Sequence, residues 1–249
     1  KVYDGNEIAK FSLPEGKPKE FLESIWTIDD VDLLPEEIKV YFASAAINDK
    51  LDISDVISAD VDTDKFVVVD ARSALAGDDA DNYVIGDFGT GVYNYSTRKT
   101  IYPDKINTQI KGVGNVTLIN KRGLTDYTKA SLIPVNATLV VERIEPNSAG
   151  FRDIQEHITS YLSRKNVFAA GYKLTLLNEN GMEVKISNEL YLSMPSESEL
   201  INVLSLSGDR TKTVDYSKDG GYIVVDLNQI EEDISYFCLI QNRALLKTW

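Results

Sequence analysis

Along most of the chain apolar and polar residues alternate with a period of two, which is the pattern of strands half-buried in antiparallel sheets. Phe66-Val67-Val68-Val69 and Leu139-Val140-Val141 are short β-prone runs of this kind. Residues 172–176 and 182–186 flank Asn178-Glu179-Asn180-Gly181, whose Asn-Gly pair accepts the positive φ of a tight turn and predicts a hairpin. Strands are expected at 203–206 and 214–216, and Asp219-Gly220-Gly221 turns the chain into Tyr222-Ile223-Val224-Val225. Near the C-terminus, Ile234, Tyr236, Cys238 and Ile240 share one parity and Phe237 and Leu239 the other. Both faces of that segment are apolar, so it reads as a central strand covered on each side.

One segment departs from this period. Phe151, Ile154, Ile158, Tyr161 and Leu162 recur at helical spacing behind the cap-like Asn147-Ser148, predicting an amphipathic helix over about 149–164. Pro35 suits a helical first turn and Glu36-Glu37 its positive end, so 35–47 reads as a second helix; Val40, Tyr41 and Phe42 argue equally for a strand there.

Charge divides the chain. Residues 1–105 carry 11 basic and 22 acidic side chains, whereas 106–249 carry 15 and 17, so the acidity belongs to the first part. Tyr102-Pro103-Asp104 has turn chemistry and places a join near residue 105, with an alternative at Glu145-Pro146-Asn147. The expected fold class is mainly β: two β-sandwich-like (Ig-like) domains, 1–105 and 106–249, the second with the one amphipathic helix.

With 249 residues, 43% of them hydrophobic, the chain has the bulk to bury its core. A net charge of −13 disfavours nucleic acid as a partner. One cysteine forms no internal disulfide, and one histidine with one cysteine cannot supply the usual zinc ligands. No apolar run approaches the ~18–20 residues of a membrane span, so no membrane contact is expected of this segment. Opening on Lys1, it reads as the ordered part of a longer precursor.

The conspicuous polar features are acidic runs: Asp29-Asp30-Val31-Asp32, Asp60-Val61-Asp62-Thr63-Asp64 and Asp78-Asp79-Ala80-Asp81. The second fails the helical calcium-loop pattern, having Lys65 where the turn needs glycine and Ala71 where a bidentate glutamate belongs. Asp60, Asp62, Asp64, Asp78, Asp79 and Asp81 stay the candidates for a non-helical calcium or glycan site, with solvated loops as the plain alternative. Carboxylate pairs also admit a glycoside hydrolase, but 39 acidic residues make pairs uninformative. His157, the sole histidine, lies at the edge of the helix's apolar face, and Cys238 reads as inert packing in its strand. Gly112-Val113-Gly114-Asn115 and Gly89-Thr90-Gly91 complete no phosphate-binding loop and read as turns or bulges. Asn94-Tyr95-Ser96, Asn115-Val116-Thr117 and Asn136-Ala137-Thr138 are sequons at a frequency near chance. No catalytic, cofactor-binding or metal-ligating residue is assigned, and no cofactor is expected.

Lys1-Val2-Tyr3-Asp4-Gly5 resembles the opening of the YDG repeats, also called MBG or mucin-binding-type modules, of bacterial surface proteins. The family's second motif, a strand followed by Leu-x-Gly-x-Asp-Ala-x-Asn-Tyr, is matched by Leu75, Gly77, Asp79, Ala80, Asn82 and Tyr83 after the strand 66–69. The resemblance covers about residues 1–105, with an acidic insertion over 27–64. Tyr3 and Tyr83 read as anchors and Asp4-Gly5 and Asn82 as turn residues, all structural. The remainder is similar to C-terminal modules of Gram-positive gut-bacterial surface proteins through 221–225 and Ser235-Tyr236-Phe237, with Leu245-Leu246-Lys247-Thr248-Trp249 reading as the edge of an anchor. The resemblance implies a non-enzymatic, secreted cell-surface module held by segments outside this chain, acting as structural spacer or adhesion domain. Host glycans or neighbouring surface domains are the partners it implies. A calcium- or glycan-binding module is the alternative, and a glycoside hydrolase a more distant one.

Overall fold

A computed structural model describes residues 4–9, 30–47, 51–83, 85, 92–121, 132–196, 200–208, 210–230 and 236–242. The protein is mainly β, and every strand pair among the described residues is antiparallel. The chain divides into two compact units, Lys1–Tyr102 and Pro103–Trp249. The Gly89-Thr90-Gly91 turn, Lys1-Val2-Tyr3, Ile234, Ser235 and the terminal 245–249 lie outside the described residues.

In the first unit β1 (Asp32–Leu33) pairs with β4 (Leu75–Ala76), and β2 (Lys39–Ala43), β3 (Asp62–Asp70) and β5 (Val92–Ile101) form a sheet in the order β2-β3-β5. The alternation of β2 and β3 explains the burial of both faces. Val40, Phe42, Val67 and Val69 gather with Ile101 on one side, and Ala43, Val68 and Val92 gather with Ile53 and Val56 of the single-turn helix α1 (Ile53–Val56) on the other. Asp52 caps α1 by accepting from the Ser54 N–H, and Asp55 returns the contact to the Asp52 N–H, a complete capping box. Of the two readings open for 35–47, the strand is the one formed. Pro35–Glu37 makes one 3₁₀ turn, and the β-branched and aromatic residues behind it enter β2, where the sheet buries Val40 and Phe42 and half-buries Tyr41.

The second unit contains β6 (Lys105–Ile110), β7 (Gly114–Asn120), β8 (Thr138–Ile144), α2 (Ala149–Ile158), β9 (Asn166–Leu177), β10 (Glu183–Val184), β11 (Leu190–Pro195), β12 (Leu200–Ser207), β13 (Arg210–Val214), β14 (Tyr216–Asp219), β15 (Tyr222–Asp226) and β16 (Tyr236–Asn242). A six-stranded sheet runs β10-β9-β16-β12-β13, with β8 also on β9; a five-stranded sheet runs β14-β15-β11-β7-β6. The strand expected over 214–216 is broken at Asp215: its N–H donates to the Gln229 side chain, and the chain passes from the six-stranded sheet into the five-stranded one.

The two sheets face each other across one apolar core. Leu118, Leu192, Met194, Ile223 and Val225 come from one sheet and Tyr172, Leu174, Val203, Phe237 and Leu239 from the other. The edge strands β6 and β8 meet where the Thr108 hydroxyl donates to the Leu139 carbonyl. On its far side the larger sheet carries α2, capped by Ser148 accepting from the Phe151 N–H at 3.1 Å. Ile154 and Ile158 of α2 pack there on Ile144, Phe168, Leu204, Cys238 and Ile240. The helix thus ends six residues earlier than its periodicity suggests, and Thr159–Tyr161 tightens into a 3₁₀ turn. Register shifts set the parity: the one beside Ala169 moves Phe168 to the helix side although Tyr172 and Leu174 point to the core, and the one beside Ile201 does the same for Leu204 against Leu200. β16 lies between β9 and β12, with Phe237 and Leu239 in the core and Cys238 and Ile240 beneath the helix, the central strand its two-faced pattern predicts.

Candidate functional site

Several of the acidic carboxylates accept hydrogen bonds from within the first unit. The pairing of β1 with β4 brings Asp30 against the turn after Ala76: the Asp30 N–H donates to Asp79 Oδ2 (2.9 Å), the Asp79 N–H to the Asp30 carbonyl (3.2 Å) and the Asp78 N–H to Asp30 Oδ2 (3.4 Å). Gly77 has φ +111°, and a Cβ there would lie 2.1 Å from the Asp30 carbonyl oxygen, so the motif glycine is required by close backbone approach. Asp62 Oδ1 accepts from the Thr63 and Asp64 N–H groups, and Asp60 Oδ2 from the Ser58 hydroxyl (2.9 Å). Asp81 is exposed on the 3₁₀ turn Ala80–Asn82. Among the described residues no three histidine, cysteine or carboxylate groups come together to hold a metal ion. Two carboxyls are held below the ordinary carboxylate range, Asp52 by the Ser54 N–H and Asp70 by the Arg72 guanidinium. That direction is opposite to what a glycosidase general acid needs.

Lys65, which in the sequence merely spoils a calcium loop, is buried at 3% exposure between two register shifts of the β3–β5 ladder. Its Nζ donates to Ser58 Oγ at 2.8 Å, and Ser58 in turn donates to Asp60. The hydroxyl carries the carboxylate's compensation inward to a buried ammonium, which is how a charge is kept below the surface. His157 is half-buried on α2, where its carbonyl accepts from the Thr211 hydroxyl. Cys238 is fully buried, and burial pushes its thiol up to about 12. Asn94 is committed to Ile47, whose carbonyl and N–H it binds at 2.8 Å each. Asn136 sits exposed at φ +58°.

A broader arrangement emerges on the five-stranded sheet. Because Leu118, Leu192, Ile223 and Val225 point into the core, the alternate residues point away from it, and the register aligns them in rows across the strands. Lys105, Ile119, Tyr191 and Asp226 form one row; Asn107, Thr117, Ser193, Val224 and Ser217 the next; Gln109 and Asn115 stand in the third with Pro195, Tyr222 and Asp219. At one end Lys121 Nζ lies 2.6 Å from Asp226 Oδ1 and 4.8 Å from the Tyr191 ring centroid. With the Asn228 amide donating to the Asn188 carbonyl, its oxygen accepts from the same ammonium at 2.9 Å. At the other end the Tyr222 hydroxyl is 3.5 Å from the Asn115 N–H, two strands away, so the ring lies flat across β11. Pro195 is buried beneath it despite its outward parity. Gly114 makes room: with φ +140°, a Cβ there would stand 3.0 Å from the Tyr222 oxygen.

Fold and site together define a mainly β protein with two antiparallel units, the second displaying a flat face of tyrosine, amide and hydroxyl groups. Comparison with family models, with curated proteins and with solved structures finds no match. Sequence reasoning passed over this face, although its parity was legible: Asn107 and Gln109, Asn115 and Thr117, and Tyr191 and Ser193 each sit two apart. What the sequence lacked was the register joining residues more than a hundred positions apart.

Proposed function

We propose that this protein is a non-enzymatic extracellular cell-surface module, a structural spacer or adhesion domain with two β-sandwich-like, Ig-like units in series. The observation that carries this reading is the place of β16 between β9 and β12. A load reaching Asn242 falls on a strand hydrogen-bonded along both edges, which must part from two neighbours before the second unit extends. The sole cysteine does not oppose an oxidising exterior location, being buried and held as an unreactive thiol. No helix among the described residues is long and apolar enough to cross a membrane.

Stretching single molecules of the full chain tests the mechanical reading. The second unit is expected to yield in one resolved step of about 400–500 Å, the extended length of its roughly 140 residues less its folded span. Smooth extension without a force peak overturns it.

A further inference from the structure

We propose that the outward face of the five-stranded sheet in the second unit is a platform for an uncharged polysaccharide chain. The proposal deepens the adhesion arm of the reading above and rests on that arm alone.

Charge is the first argument. In a chain of net charge −13, the central row of this face holds Asn107, Thr117, Ser193 and Ser217 beside Val224, and Gln109 and Asn115 stand in the row next to it. The ammonium at its end, Lys121, is matched by Asp226, and the two other charges on the face, Lys105 and Asp219, are of opposite sign, so the face is balanced overall. A surface of this kind attracts neither polyanion nor polycation, and its complement is a neutral ligand. Amides and hydroxyls each offer both donor and acceptor sites, the mixture that sugar hydroxyls need on both counts.

Shape is the second. The half-buried Tyr222 ring reaches past its cross-strand partner Pro195 to set its hydroxyl beside Asn115, and its remaining exposed ring surface suits the C–H side of a pyranose. Tyr191 stands on the neighbouring strand two rows away, about 14 Å along the sheet at about 3.4 Å per residue. The strands span about 19 Å at about 4.8 Å apiece. The platform therefore suits a chain several sugars long, lying across or along the strands, better than a single monosaccharide. A protein partner would instead call for an apolar centre with pockets for aromatic or arginine anchors.

The test is affinity electrophoresis of the full chain in gels each cast with one neutral polysaccharide (amylose, mixed-linkage β-glucan, xylan, galactomannan, galactan), with polygalacturonate as the charged comparator. Retardation in at least one neutral gel and none in polygalacturonate is expected. Tyr222→Ala should weaken retardation about tenfold, as truncated aromatic anchors do, and Tyr222→Phe should keep most of it. Asn107→Ala with Gln109→Ala, on an exposed strand where folding is not at stake, should weaken it independently. No retardation in any neutral gel, retardation by polygalacturonate alone, or retention unchanged in these variants overturns the proposal. Because the force trace is recorded without sugar, loss of binding leaves the mechanical reading standing, and a missing force peak leaves the binding result intact.

Discussion

Ser58→Ala deletes the acceptor that the Lys65 ammonium reaches at 2.8 Å. Lys65 is 3% exposed, so solvent cannot simply take the hydroxyl's place. A hydrogen bond to a charged group is worth about 1.5–3 kcal/mol net, and a stranded buried charge costs up to about 3–5 kcal/mol. The expected loss for the first unit is therefore about 2–3 kcal/mol. Lys65→Met keeps an unbranched side chain of similar length without the charge, and its stability should stay within about 1 kcal/mol of the parent or exceed it. In the Lys65→Met background, Ser58→Ala removes only the two exposed contacts to Asp60, about 0.5–1 kcal/mol together. The cycle should thus show a coupling of about 1.5–2 kcal/mol. Peptide-level hydrogen exchange over β3 is the appropriate readout, because two units need not unfold together and a whole-chain transition would mix them. If Ser58→Ala costs the same in both backgrounds, the hydroxyl does not sustain the buried ammonium and the reasoning fails.

Arg72 grips Asp70 through Nε to Oδ1 (2.9 Å) and Nη2 to Oδ2 (2.7 Å), holding the carboxyl below its usual value. A carboxyl lowered by folding adds stability above the unfolded-state value near ~3.9, and that stability drains away as pH falls through the folded-state value. Arg72→Ala should therefore cost up to about 1 kcal/mol at pH 7, modest because the guanidinium is half exposed, and the gap from the parent should close in melts at strongly acid pH; a constant gap contradicts the pairing. Cys238 should resist a disulfide reagent at pH 8 in the native protein and react at once in urea, and rapid native labelling would contradict its burial under α2. Millimolar calcium should leave the thermal midpoint in place, since the carboxylates of Asp60, Asp62 and Asp79 already accept hydrogen bonds from the protein; an upward shift would return the acidic loops to candidacy.

Residues whose partners lie close in the chain could be read without a structure. The Asn180-Gly181 and Gly220-Gly221 turns, with glycines at φ +72°, +52° and +89°, follow from local backbone freedom, and the α2 cap from Ser148. The centrality of β16 was visible because both its parities are apolar. The fate of 35–47 was not, since propensity there was balanced and the offer of a buried place in the β2–β3 sheet decided it. Phe168 and Leu204 escaped a parity argument because register shifts reverse the face they occupy. Lys65 and the tyrosine face escaped for a shared reason: each depends on which distant strand lies alongside, and alternation within one strand carries no such information.

The position of β16 also bears on how the protein is made. Among the described strands it is the last to leave the ribosome, yet it joins β8 and β9 to β12 and β13, so the larger sheet waits as two separate halves until synthesis has passed Asn242. Contacts of long sequence separation form slowly, and the strand edges that β16 will occupy stay open meanwhile. Folding of the larger sheet thus waits for Asn242 to emerge, and whatever shields nascent chains must cover those two edges until β16 arrives.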